Sequence, residues 1–239
     1  MRTRVRVDER MDDPALPAAE HDLALAGLAR LNAWSRSHWL LWSGIRALAR
    51  EANAEGRTLG VIDVAAGSGD GPIAMARRAA REGLRIEWTL CDASAHALSV
   101  ADARARQAGV AVATVRADAI AAELPCQSDV VTCSLFIHHC DPDEAVAVMR
   151  HMKNAALRAV GITDLDRTHL GLGLAWLGSR VLSRSPVVHF DATASVRAAF
   201  SRDEARALAA EAGMSGTGIA GALVERAFPE RWRLWWRRA

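Results

Sequence analysis

A chain of 239 residues that is 51% hydrophobic and 24% charged holds enough apolar material for one sizeable core, and this is not the composition of a disordered chain. Its formal net charge of +2 is too small to argue for a nucleic-acid partner, and no run reaches the ~20 apolar residues that span a bilayer. No apolar stretch follows the N-terminal arginines, so a secretion signal is not expected and a cytoplasmic location is.

Residues 1–17 are charged, hold Pro14 and Pro17, and are expected to form a flexible leader. Over 18–55 apolar residues recur at three- and four-residue steps (Leu28, Leu31, Trp34, then Trp39, Trp42, Ile45, Leu48), which predicts two helices ahead of the first strand. Helices so rich in tryptophan either cover a sheet edge or form part of a lid over an apolar substrate. The apolar run Val61-Ile62-Asp63-Val64 then breaks into Ala65-Ala66-Gly67-Ser68-Gly69 before a helix over 71–82, giving strand, tight turn and helix. Gly67 and Gly69 have no Cβ to hold a ligand off and can take φ > 0. Asp63, at the strand end, either fixes the loop or meets a cationic ligand group.

A second strand ends at Asp92, a helix over 94–107 is N-capped by Ser94, and a third strand over 110–119 carries Asp118 at its end. The fourth strand, over 129–136, is nearly continuous in apolar residues, and a helix follows with Asp141 as N-cap and Pro142 in its first turn. A fifth strand covers 157–165. Strand and helix alternating in this way imply a mostly parallel sheet with right-handed crossovers, and a ligand beyond the carboxyl ends of its strands. Gly67, Asp92, Asp118 and residues 134–140 all fall there.

The segment 166–200 breaks the alternation with an apolar helix over 170–182 and a strand-like Val187-Val188-His189-Phe190-Asp191, and reads as a substrate cap. A helix over 201–212 has Ser201 and Glu204 as a capping box, and two strands, over 217–226 and 231–236, complete the sheet. The basic and aromatic alternation of 231–238 admits base stacking or a membrane surface, but is read as an edge strand with arginine on its wet side. Cys91, Cys126, Cys133 and Cys140 lack C-x-x-C spacing and read as free thiols. No metal site is expected, because His138 and His139 on extended backbone would point to opposite sides.

Asp63-Val64-Ala65-Ala66-Gly67-Ser68-Gly69 fits D-x-A-x-G-x-G, and together with Asp92 and Asp118 it makes the chain resemble the class I S-adenosylmethionine-dependent methyltransferases, in particular small bacterial enzymes related to the ubiquinone/menaquinone type. The resemblance implies an α/β, Rossmann-like seven-stranded sheet, mostly parallel with the last strand antiparallel. N-terminal helices precede a methyltransferase domain over 56–239, with a helical cap after the fifth strand. The implied cofactor is S-adenosyl-L-methionine, with S-adenosyl-L-homocysteine as product, held by Asp63, Ala65, Gly67, Gly69, Asp92, Ala93, Asp118, Ala119 and Ser134. Asp92 would take the ribose hydroxyls and Asp118 the adenine amino group, so both must face the cleft beside Gly67.

Laid beside the W-x-x-H-D-W-x-D-E stretch of plant phenolic O-methyltransferases, Phe136 falls on the tryptophan, His139 on the catalytic histidine and Asp143-Glu144 on the acid pair, while Cys140-Asp141 departs from the D-W. His139 is therefore the first candidate for a general base and His138 the second, histidine being the side chain poised near neutrality. The implied partner is a small aromatic acceptor, phenolic, quinone-like or polyketide-derived, with O-methylation ahead of C-methylation. Trp34, Trp39, Phe136 and Trp176 would line its site, and His189, Asp191 and Arg197 would orient it. A nucleic-acid partner is not favoured, and the oligomeric state is open. Two alternatives stand: a cofactor-binding module without catalysis, and an NAD(P)-binding oxidoreductase. Against the second, Pro72 occupies the position where G-x-G-x-x-G/A wants a small residue, and the chain has no tyrosine.

Overall fold

A computed structural model describes residues 1, 3–13, 15–35, 39–215 and 222–238. Five strands, β1 (Leu59–Val64), β2 (Ile86–Asp92), β3 (Ala113–Arg116), β4 (Ser128–Ser134) and β5 (Ala156–Leu165), run parallel. β6 (Ala222–Ala227) and β7 (Arg231–Arg237) join antiparallel, giving the order β3-β2-β1-β4-β5-β7-β6. The strand order reverses at β1, whose neighbours are β2 and β4, and such a switch point leaves a crevice at the strand's carboxyl end.

The helices are α1 (Ala18–Ser35), α2 (Trp39–Ala54), α3 (Asp70–Arg81), α4 (Ala95–Gln107), α5 (Pro142–Ala155), α6 (His169–Leu182), α7 (Pro186–Ala198) and α8 (Arg202–Glu211). Side chains alternate along each strand, so Leu59, Val61 and Trp88 pack with Leu41, Ile45, Leu48 and Met75 of α2 and α3. Ile62, Val64, Val131 and Cys133 meet Val148, Met149 and Met152 of α5 and Leu208 of α8 on the opposite face. Ser94, Asp141 and Ser201 cap their helices, the last two within capping boxes completed by Glu144 and Glu204.

β7 lies inside the sheet, between β5 and β6, so the edge expected at the C-terminus is taken by β6 instead. Its alternation serves two faces: Trp232, Leu234 and Trp236 join the α5/α8 core, while Arg233 on the other face donates to the Leu40 carbonyl at 3.2 Å. The tryptophans are thus core rather than stacking platforms. Trp235 lies over Gly44 and Gly161, where an added Cβ would approach its ring to 2.5 and 2.7 Å. Gly44→Ala is therefore expected to destabilise the fold by about 1–3 kcal/mol through overpacking. Urea unfolding checks this: the midpoint should fall with the slope unchanged.

The strand-like 187–191 is part of α7, because Pro186 supplies helical φ in the first turn and Ser185 caps it by accepting from Val188 N–H. Val187 and Val188 then pack on Ala24 of α1, and tertiary contact overrides their β-propensity. The third strand is shorter than expected, which puts Asp118 two residues past its end. Part of the expected penultimate strand, 217–221, lies outside the described residues. Residues 4–11, expected to hang loose, are tied to the body. Arg4 donates to the carbonyls of Ala198, His138 and Cys140 at 2.5, 3.0 and 2.7 Å, and the Asp191 carboxylate accepts from Arg10 and Met11 N–H. All four cysteines are free thiols, and among the described residues no helix is long and apolar enough to cross a membrane.

Candidate active site

At the end of β1 the backbone turns back on itself through three left-handed residues, Ala65 (φ 52), Gly67 (φ 53) and Gly69 (φ 74). The two glycines differ in surroundings. A Cβ on Gly69 would meet Leu90, Ala101 and Ile73 at 3.1–3.2 Å, whereas one on Gly67 would project into open space. Gly67 N–H donates to Asp92 Oδ2 at 2.8 Å, and Oδ1 accepts from Ser94 N–H at 2.8 Å, so the acid at the end of β2 faces the turn. Asp63 is buried and accepts from Thr132 Oγ1 at 2.6 Å. Burial, with Asp92's charge adding to it, pushes the Asp63 carboxyl up to about 7 against the pull of that bond. Asp118 is exposed and accepts from Ile120 N–H at 2.9 Å; the carbonyl of buried Ala119 accepts from His151 Nδ1 at 2.8 Å.

A cavity of about 340 Å³ opens from this turn toward the cap. Asp63, Ala65, Gly67, Ser134 and Leu135 form its strand-end side; Leu28, Leu31 and Trp34 of α1, Ala175 of α6 and Val196 of α7 its apolar side; and His138, His139, Glu9, Leu165, Glu230 and Arg231 the remainder. α1 thus belongs with the cap, while α2 covers the sheet. Trp34 and Ser134 line the cavity. Trp39 packs against Trp42, Trp176 is exposed under Arg180, His189 bonds the Ser183 carbonyl at 2.9 Å, and Arg197 is exposed; none of the four lines the cavity, nor does Phe136. Asp92, Ala93, Asp118, Ala119 and Gly69 are not in its lining either, and of these Asp92 is tied to the lining through Gly67 N–H. Asp191 is spent on the N-terminal backbone.

After β4 the chain passes through Leu135 (φ 57) into a 3-10 turn, Ile137–His139. The two imidazoles do not diverge as on extended backbone: the turn holds their centroids 4.2 Å apart, and Glu9 brings a carboxylate to within 4.8 Å of both. Behind His138 sits Asp164, which the sequence reading had not placed in the site. Its Oδ1 is 2.6 Å from His138 Nδ1, and its Oδ2 accepts the His138 backbone N–H at 3.0 Å, so one buried acid fixes both ring and main chain. Burial alone would push His138 down, but Asp164's charge and hydrogen bond outweigh it and hold the imidazole above its usual range. Burial disfavours ionised Asp164 in the same way, and His138 more than compensates, holding the acid below its ordinary value. For His139 the balance runs the other way: burial first and His138's charge second push it down to about 4, against the pull of Asp164's charge.

Residues 61–159 match a family model described as a methyltransferase domain. No curated protein matches the sequence. Among solved structures, a protein of Nostoc punctiforme PCC 73102 described as a candidate O-methyltransferase superposes with a TM-score of 0.63 at 18% identity, over 97% of this chain and 63% of that one. The chain therefore spans less than two thirds of that protein's length. Magnesium protoporphyrin IX methyltransferase of Synechocystis PCC 6803, with S-adenosylhomocysteine bound, gives 0.55 at 16% over 96% and 92%. The plantazolicin methyltransferase, in complex with a desmethyl analogue and the same product, gives 0.56 at 17% over 88% and 70%. Residues 61–159 are a methyltransferase domain, and the chain as a whole has the fold of the S-adenosylmethionine-dependent methyltransferases.

Proposed function

We propose that the chain transfers a methyl group from S-adenosylmethionine to an oxygen of a small aromatic acceptor, with His138 as general base and Asp164 as the residue that positions it. The observation that carries this reading is the 2.6 Å pair of His138 and Asp164 on the wall of a cavity that also reaches Gly67. Gly67's open face and the Asp92 carboxylate beside it suit an adenosyl group, with Ala93, Asp118 and Ala119 kept as candidates for its base end, and Asp63, Ala65 and Ser134, which line the cavity, for its methionine end. When bound, the cofactor supplies an electrophilic methyl group.

The chain's own residues then have two tasks, orientation and proton removal. Leu28, Leu31, Trp34 and Val196 offer an apolar wall suited to an aromatic ring and exclude water from it. A phenol, with pKa near 10, is a poor nucleophile until its proton is taken. With Nδ1 engaged by Asp164, Nε2 of His138 is the ring nitrogen to take it, with Glu9 Oε1 3.9 Å away. His139, depressed to about 4, is neutral at pH 7 but too weak a base for a phenol. The role therefore moves one residue along from the histidine that the motif comparison favours.

Incubation with methyl-labelled S-adenosylmethionine and a panel of phenols tests the reading. Labelled aryl ethers are expected; label on ring carbon alone would replace O- by C-methylation, and S-adenosylhomocysteine binding without any transfer would leave a cofactor-binding module. The base must be neutral to act, so turnover should climb as pH rises through the raised pKa of His138. Asp164→Asn removes most of what raises it, leaving Glu9's charge, while the burial that lowers it stays, so the climb should move to lower pH. The plateau should fall by about 10–100-fold as the ring loses its orientation. A pH–rate profile unmoved by Asp164→Asn would remove His138 as base.

A further inference from the structure

The basic side chains of β7 are not equivalent. Arg233 has Glu225 and the Leu40 carbonyl. Arg231 is 6% exposed, lines the cavity, and donates from Nη2 to Ser35 Oγ at 3.0 Å, while its Nε and Nη1 have no hydrogen-bond partner among the described residues. A guanidinium carries five N–H donors, and leaving a buried cation short of acceptors is strongly unfavourable. Arg167, the other buried arginine among the described residues, shows what a structural role looks like here: it makes a bidentate pair with Glu204 at 2.8 and 2.6 Å and also donates to the Ala199 carbonyl.

The acids near Arg231 are already engaged. Asp164 is held by His138 and by Leu165 N–H, and Glu230 by Arg226 and Thr168. Burial lowers the Arg231 pKa to about 10 with only Asp164's charge opposing, so the group stays cationic at neutral pH. Its charge in turn reaches His138 and acts to lower that imidazole's pKa. Arg231 faces Leu165 across the β5–β7 ladder, three strands from β1 in the sheet, which puts it on the acceptor side of the cavity rather than beside the glycine turn.

We infer that Arg231 is the oxyanion-binding residue of the acceptor site: the acceptor presents an ionised hydroxyl or a carboxylate that pairs with Nε and Nη1 after the flexible side chain turns toward the cavity. The inference rests on the methyl-transfer reading and narrows its substrate class to aromatic oxyanions. An ionising hydroxyl would pass its proton to His138 Nε2, and the guanidinium would stabilise the resulting phenolate next to the donor; a carboxylate would arrive already charged. Bidentate geometry favours either oxyanion over a neutral ether or amide.

The full chain loaded with S-adenosylhomocysteine is titrated with 4-nitrophenol against 4-nitroanisole, and with 4-nitrobenzoate against 4-nitrobenzamide. The ionisable member of at least one pair is expected to bind about tenfold or more tightly than its neutral analogue, as charged hydrogen bonds would give. If the source is a hydroxyl, bound nitrophenol shows phenolate absorption below its solution pKa; if a carboxylate, the benzoate pair alone discriminates. Arg231→Gln and Arg231→Met should abolish the preference and Arg231→Lys keep part of it, with product affinity unchanged. Arg231→Met should also hold or raise the thermal midpoint, since an unpaired buried cation gives way to an apolar chain of similar length. No preference in the wild type, a preference surviving in Arg231→Met, or a large fall in that variant's midpoint would each overturn the inference. If S-adenosylhomocysteine itself fails to bind the wild type, the donor reading falls and takes the inference with it; if only the anion preference is missing, the inference falls alone.

Discussion

Replacing His138 by glutamine should lower turnover by about 10²–10⁴-fold, the usual contribution of a positioned general base, and leave S-adenosylhomocysteine binding intact. Glutamine is the informative substitution because its amide can still donate to Asp164, whereas alanine would strand a buried carboxylate and cost about 3–5 kcal/mol of stability. His139→Gln should have a much smaller effect, because burial and His138's charge have already pushed its pKa down to about 4. The ion pair also predicts a stability signature. His138 is raised above its ordinary 6.5, so its contribution is complete below that value and is lost as pH rises through the folded pKa. Asp164 is lowered from 3.8, so its contribution is present above that value and is lost as pH falls through the folded one. The loss of stability in His138→Gln, measured in urea, should therefore be greatest between those two ordinary values and shrink in alkali. Equal turnover in the wild type and His138→Gln would refute the assignment.

Gly67→Ala and Gly69→Ala should separate donor binding from folding. Both positions have positive φ, which costs a side-chain-bearing residue about 1 kcal/mol, yet Ala65 already tolerates φ 52 two residues before Gly67. At Gly67 the new methyl group meets nothing of the protein and enters the open space in which the donor is proposed to lie. S-adenosylhomocysteine affinity should drop at least tenfold, about 1.4 kcal/mol, while the unfolding midpoint shifts little. At Gly69 the methyl group would press on Leu90, Ala101 and Ile73, so overpacking adds about 1–3 kcal/mol to the backbone strain and stability falls first. Calorimetry and denaturant unfolding of the two variants decide the matter. Normal product binding by Gly67→Ala would mean that the donor does not pass over Gly67.

The glycine turn was legible because everything it needs is local: β1 ends in Val64, the turn takes Gly67 and Gly69 at positive φ, and α3 begins at Asp70. The caps at Ser94, Asp141 and Ser201 were legible for the same reason, each acting on backbone three residues away. Val187 and Val188 misled because their β-propensity is weaker than a serine cap followed by proline. Residues 4–11 misled because charge and proline describe a chain in water and say nothing of the carbonyls of His138, Cys140 and Ala198 that Arg4 reaches.

By itself, then, the sequence determined the alternating sheet, the glycine turn and the presence of histidines at the end of β4, since each follows from periodicity or from the conformational demands of a few adjacent residues. Only the tertiary structure decided which histidine has an acid behind it and which buried arginine keeps open donors toward the cavity. His138 meets Asp164 26 positions away, and Arg231 meets Ser35 196 positions away. Burial sets the energy of these charges, and burial is a property of what the folded chain places around a side chain rather than of its neighbours in sequence.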